Sequence, residues 1–334
     1  MAMALTTAWA PGDPIRGLVA PVFTPINRDG GLDLDKVDSQ ARWLNASGVE
    51  WVFTSGSTGE SVDLTVAERK SLAVKWIQVS KLYGQHVIVH VGSDSVNDAQ
   101  DMAAHAQQHS ADAIAAMPPT YIRPGSPEAL VQTVAAIASA APSTPFYYYH
   151  IPMKTGVAFP MADLVLAADS RIPTFRGVKF TDEHLDDMQI AMSRNFTAGA
   201  AWRRGRAPDV LYGRDQWLLG ATAFGIHGAV GTTYNFNAEL QRKVLGGDGA
   251  TARRAQLGTS TFIRAISDFE AAFPGVYSWK LAMELMGMDV GPARLPFVQP
   301  TQAARDALRS ALARWCKATD TDIQPGWCGV LRFA

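Results

Sequence analysis

Cysteine is scarce in this 334-residue chain. There are two, Cys316 and Cys328, both near the C-terminus. That is too few for a disulfide-framed secreted domain, and no spacing of Cys and His suggests a metal site. Charge is also low: 18% Asp, Glu, Lys and Arg, with a formal net charge of -1. A nearly neutral chain lacks the electrostatic footprint of a nucleic-acid or anionic-membrane binder, so neither is expected as a partner. No apolar run approaches the ~20 residues that span a bilayer. The N-terminal segment carries neither a basic region nor a long apolar one, so it does not read as a signal peptide. Glycine-rich phosphate motifs of the G-x-G-x-x-G type are missing after every candidate strand. Together these absences make a soluble cytosolic protein the default expectation.

What the chain has is apolar residues, 47% of the total. They come in short runs rich in β-branched and aromatic residues, as buried parallel strands require. Eight such runs fall at 17–25, 49–57, 86–93, 111–119, 145–152, 175–181, 209–213 and 227–234. Amphipathic stretches follow them. Thr65 with Glu68 predicts a capping box, and Ser126-Pro127-Glu128 a helix opening with proline at its first position. This alternation predicts a closed (β/α)8 TIM barrel of the α/β class. The expected division is a tail over 1–15, the barrel over 16–248, and a C-terminal helical extension over 249–334. Helices are predicted there at 250–272, 276–287 and 301–317. The small, basic stretch 198–208 reads as a surface loop.

In such barrels the reactive side chains sit at the C-terminal ends of the strands. Lys179 stands out, flanked by Val178 and Phe180 in a run that should be buried. Burial disfavours the ammonium and leaves an amine able to attack a ketone. The alternatives are a lysine that snorkels out of the barrel mouth or pairs with Asp215. Gly56-Ser57-Thr58-Gly59-Glu60 places two hydroxyls in a tight turn whose N–H groups can cradle a small anion; an ordinary βα turn has the same composition. Tyr149 ends a strand and alternates with His150, so the two should face opposite sides. A phenol there can move a proton, whereas Tyr147 and Tyr148 read as packing residues. His86 and His90 lie in a strand, where a spacing of four makes no metal pair, and are read as structural.

Taken in order, G-S-T-G-E at 56–60, the Tyr149 motif and G-V-K-F-T at 177–181 resemble the class I pyruvate aldolases. These comprise dihydrodipicolinate synthase and N-acetylneuraminate lyase. FYYYHIP (146–152), GVKFTD (177–182), GAVGTTYN (228–235) and GPARLP (291–296) are similar to the N-acetylneuraminate lyase branch. The resemblance covers about residues 16–300. It implies that Lys179 forms a Schiff base with the C2 ketone of pyruvate and that no metal or organic cofactor is needed. Tyr149 and Thr58 would complete the catalytic set, with Ser57 and Thr58 holding the pyruvate carboxylate. Thr181, Gly213, Asp215, Gln216 and Thr232 would meet the rest of a 2-keto sugar acid.

The resemblance further implies a homotetramer, with Tyr121 bordering the active site as a substrate-binding residue near a subunit interface. Three departures stand in the acceptor half. Gln216 replaces a usual Glu, which removes a charge. Lys154 stands where the lyases have Leu and dihydrodipicolinate synthase has Arg. Thr232 replaces a usual Ser. Other enzymes of the fold remain alternatives: 4-hydroxy-tetrahydrodipicolinate synthase, or a 2-keto-3-deoxy acid aldolase, dehydratase or hydratase-aldolase. A non-catalytic barrel that binds a keto acid is a further one.

Overall fold

The computed structural model describes residues 9–10, 13–193, 207–270 and 276–332. Eight parallel strands close on themselves in chain order. They are β1 (Gly17–Pro21), β2 (Trp51–Thr54), β3 (His86–His90), β4 (Ala113–Ala116), β5 (Phe146–His150), β6 (Phe175–Phe180), β7 (Asp209–Tyr212) and β8 (Gly228–Val230). β1 pairs with β8 through Val19 and Val230, which closes the barrel. The expected fold is therefore the observed one.

The strands are shorter than the apolar runs that revealed them. The run 49–57 yields only Trp51–Thr54, and 227–234 only Gly228–Val230. The excess lies mostly at the C-terminal ends, where the chain leaves the sheet to build loops. Tyr234, the last residue of the eighth run, instead begins the Tyr234–Gly246 helix.

The two faces of each strand sort by alternation, as side-chain period two demands. Val19, Trp51, Phe53, Ile88, Ala113, Ala115, Tyr147, Tyr149, Leu211 and Val230 fill the barrel interior as one cluster. Tyr148, Val178, Phe180 and Tyr212 belong to the larger cluster between sheet and helices. Tyr149 is aligned with Lys179 across the β5–β6 pair, and Lys179 with Leu211 across β6–β7. Lysine at 179 thus falls on the interior parity.

The helices obey their sequence signals. Thr65 accepts from the Glu68 N–H while the Glu68 side chain accepts from the Thr65 N–H, the reciprocal capping box. Ser126 caps the Pro127–Ser139 helix. Helices Gly249–Glu270, Val276–Leu285 and Gln302–Ala318 follow the barrel. A fifth-strand connection begins with a short Pro152–Thr155 helix that the sequence reading did not contain. Nor did it contain the Cys328–Arg332 helix. Cys316 and Cys328 form a disulfide between that helix and Gln302–Ala318, so the two cysteines make one cross-link within the C-terminal segment. Trp327 stacks on Trp315 beside it. Of the 198–208 loop, residues 198–206 lie outside the described residues. No helix among the described residues is long and apolar enough to cross a membrane.

Candidate active site

A cleft of about 220 Å³ opens at the C-terminal ends of the strands. Lys179, at the end of β6, forms part of its floor. Its side chain is buried, and its Nζ lies 3.9 Å from the centre of the Tyr149 ring and 4.1 Å from that of Phe53. Burial pulls the amine from its usual 10.5 down to about 7, and the Asp215 carboxylate partly opposes this. Neither alternative for Lys179 describes this arrangement. The side chain points inward rather than out of the mouth, and no carboxylate lies within 4 Å of its nitrogen among the described residues.

Tyr149 ends β5, on the interior face. Its hydroxyl is 3.2 Å from Ser57 Oγ. Burial pushes its phenol up to about 12, with Ser57 and Thr181 holding it back. His150 points the other way and meets Asp182 at 3.2 Å. His90 lies beneath the pair. Its ring is near-parallel to Phe53 and edge-on to Tyr149. His90 Nδ1 is 2.7 Å from the Ser55 carbonyl, while Arg69 donates to the carbonyls of His90 and Gly92. Burial, with Arg69 nearby, keeps this imidazole well below its ordinary pKa and so neutral. It acts as packing under the floor.

The 56–60 turn leaves β2 and carries Ser57 and Thr58 to the cleft wall. Thr58 Oγ1 is 2.8 Å from Thr232 Oγ1, which comes from the loop after β8. Two strands on opposite sides of the chain order thus share one hydroxyl-lined wall. Asp215 enters from the turn after β7 and is buried. Its Oδ2 accepts from the Thr233 N–H at 2.9 Å and from Thr233 Oγ1 at 2.7 Å. Burial raises this carboxyl above the usual range, and Thr233 and Lys179 draw it back.

Two glycines make room for these groups. A Cβ on Gly213 would sit 2.1 Å from Thr181 Oγ1, and one on Gly231 would sit 1.8 Å from Asp215 Oδ1. Any side chain at either position would displace a polar group that faces the cleft.

The structure brings Ser57, Thr58, Tyr149, Lys154, Lys179, Thr181, Gly213, Asp215, Gln216 and Thr232 to one cleft. Lys154 is exposed at its mouth, on the Pro152–Thr155 helix, and makes no ion pair among the described residues. Arg214 also lines the cleft and is tied to Glu183 and to Met153 Sδ. Tyr121 is not among the lining residues and stands 90% exposed. Seven lining residues are not among the site residues expected from the sequence: Pro21, Ile151, Arg214, Val230, Thr233, Ile263 and Trp279. The last two come from helices after the barrel, and only the resemblance around GPARLP hinted that this region mattered. Among the described residues no group of three or more His, Cys, Asp or Glu side chains is placed to hold a metal ion.

Comparison with known proteins agrees with this geometry. A family model described as the dihydrodipicolinate synthetase family matches residues 14–314. An N-acetylneuraminate lyase from Xenopus tropicalis is 36% identical over 91% of this chain and 97% of its own length. N-acetylneuraminate lyase A from Xenopus laevis is 38% identical over 85% and 91% respectively. Among solved structures, the N-acetylneuraminate lyase of Proteus mirabilis superposes with a TM-score of 0.81 at 30% identity, covering 92% of this chain and 99% of that one.

Proposed function

The chain belongs to the dihydrodipicolinate synthetase family, and on that premise we propose that it is a class I aldolase that cleaves N-acetylneuraminate or a closely related 2-keto sugar acid to pyruvate and an aldehyde. The observation that carries this reading is the buried Lys179 amine, lowered to about 7, set against the Tyr149 ring in a hydroxyl-walled cleft.

The chemistry follows from those groups. The neutral Lys179 amine attacks the C2 carbonyl carbon, and loss of water gives an imine. Once protonated, the imine takes up the electron pair of the C3–C4 bond as that bond breaks. Tyr149, having given its proton to the hydroxyl that left as water during imine formation, takes up the C4 hydroxyl proton as the aldehyde forms. The resulting enamine takes a proton at C3, and water then releases pyruvate and regenerates the amine. The electron sink is the imine itself, so the reaction draws on no metal or organic cofactor. Ser57 and Thr58 offer hydroxyl and backbone donors to the keto-acid carboxylate. Thr181, Asp215, Gln216 and Thr232 face the rest of the substrate.

The same reading has the enzyme working on a small molecule in the cytoplasm, as a homotetramer in which the exposed Tyr121 borders a neighbouring subunit's cleft. Size-exclusion chromatography with light scattering tests the assembly. A second reading has one observation in its favour. Lys154 and Arg214 both line the acceptor end, and Gln216 adds no charge there. This suits an aldehyde half with an anionic group. Pyruvate release, followed with a coupled dehydrogenase over a panel of neutral and anionic 2-keto sugar acids, tests both. Turnover of N-acetylneuraminate supports the first reading. Turnover confined to anionic substrates supports the second.

A further inference from the structure

Glu60 and Lys280 form a buried ion pair that the chemistry above leaves unused. Lys280 Nζ is 2.6 Å from Glu60 Oε1, and the two side chains are 1% and 4% exposed. Lysine and glutamate are almost never buried to this degree unless paired. Their positions in the chain make the pair informative. Glu60 closes the turn that carries Ser57 and Thr58. Lys280 lies on the Val276–Leu285 helix, beyond the barrel, next to Trp279 of the cleft wall.

The turn needs holding. Ser55 and Glu60 bracket it, and both adopt left-handed backbone conformations, with φ of 56° and 55°. Such conformations are unfavourable for residues other than glycine and persist where surrounding contacts over-determine them. The Glu60 N–H donates to the Ser57 carbonyl and the Ser61 N–H to the Gly56 carbonyl. Thr24 Oγ1 donates to the Gly59 carbonyl at 2.6 Å. The Glu60 carboxylate adds the anchor outside the barrel. Lys280 is itself fixed by donating to the Pro292 carbonyl at 2.8 Å. Further along the same segment, Arg294 donates to the Asp63 carbonyl and pairs with Glu68. The segment after the barrel thus grips the β2 connection at two places.

There is also an electrostatic reason for a cation at 280. Ser57 and Thr58 are proposed to receive a carboxylate. A buried, uncompensated Glu60 anion two residues away would repel it, and in a low-dielectric surround that repulsion is weakly screened. Lys280 cancels that charge.

We infer that Glu60 and Lys280 are a positioning pair, through which the helices after the barrel set the affinity of the Ser57–Thr58 turn for the keto-acid carboxylate. The inference rests on the reading of that turn given under the proposed function. It assigns neither residue a step in bond making or breaking.

The test is borohydride trapping of pyruvate on the full-length protein over a range of pyruvate concentrations, with kcat measured in parallel on the substrate. Lys280→Met leaves Glu60 buried and unpaired. The half-saturating pyruvate concentration should rise about tenfold or more, while the maximal adduct at Lys179 and kcat change far less. Glu60→Gln keeps the shape and removes the anchor, so it should raise half-saturation as well. The double variant removes the uncompensated charge and should recover part of the loss seen in Lys280→Met. If Lys280→Met does not fold, Glu60→Gln and the double variant carry the test. Unchanged half-saturation in Glu60→Gln and the double variant, with only a lower unfolding temperature, would overturn the inference and leave a structural staple. Failure of the parent protein to form any adduct would overturn the reading of the site as well, and is thereby told apart.

Discussion

The Nζ of Lys179 lies 3.9 Å from the centre of the Tyr149 ring, and the two residues are aligned neighbours on adjacent parallel strands. Strand pairing alone brings the proposed nucleophile and proton carrier together. Neither depends on a loop for its placement. The interior parity of both residues follows from alternation along β5 and β6, so a one-residue slip in register would send Lys179 out toward the helices.

Removing the amine should end catalysis without unfolding the barrel. Lys179→Ala is expected to show no turnover of N-acetylneuraminate and no trapped pyruvate, with a circular dichroism spectrum like the parent's. Near-normal activity in this variant would sink the Schiff-base mechanism.

Removing the Tyr149 hydroxyl should slow the reaction by roughly 10²–10⁴-fold, the range expected for a lost proton transfer. The ring stays against Lys179, and the hydroxyl's contacts with Ser57, at 3.2 Å, and with Thr181 are lost. Steady-state kinetics of Tyr149→Phe would show this in kcat. A change confined to KM would assign Tyr149 to binding instead.

The pH dependence has a definite sign. The Lys179 amine titrates near 7 in the fold and near 10.5 in the unfolded chain. Imine formation should therefore fall as pH drops below about 7, because the amine becomes an ammonium. Between about 7 and 10.5 the folded protein binds fewer protons at this site than the unfolded chain does, so stability rises with pH across that window. Below about 7 the cost of the buried ammonium is fully present. Lys179→Met should be more stable than the parent at pH 6, and the difference should shrink toward pH 10. Denaturant melts at several pH values measure it, and a constant difference would contradict the shift.

Gly231 should tolerate no side chain. An alanine Cβ there would lie 1.8 Å from Asp215 Oδ1. Gly231→Ala is expected to push Asp215 off Thr233 and to destabilise the protein by about 1–3 kcal/mol, as overpacking of a filled interior does. Chemical denaturation gives the value. A fully stable, fully active variant would show that the Asp215 position is not what the glycine protects.

Lys154 sets the acceptor half if the first reading of the substrate holds. Lys154→Leu removes an unpaired cation from the cleft mouth. It is expected to raise kcat/KM on N-acetylneuraminate, a substrate whose distal end is neutral. No change, or a loss, would favour an aldehyde half with an anionic group.

The barrel was legible because strands buried on both faces are written as unbroken apolar runs. Their ends were not, because loop residues at a barrel mouth, such as Val22 and Phe23, are as apolar as the strands they follow. They pack between sheet and helices. Lys179, Tyr149 and the 56–60 turn were legible because each breaks the local pattern at a strand end. Trp279 and Lys280 were not, since they reach the site across a sequence gap of about 220 residues and leave no local trace. Tyr121 shows the opposite limit. Its place relative to the cleft is a matter of assembly, and a single chain leaves it exposed.

The most direct test of the central claim is borohydride reduction in the presence of pyruvate, read by intact and peptide mass spectrometry. A single pyruvate-derived adduct on the peptide that contains Lys179 is the expected result. A folded protein that forms no adduct, or forms it on another lysine, would contradict the mechanism.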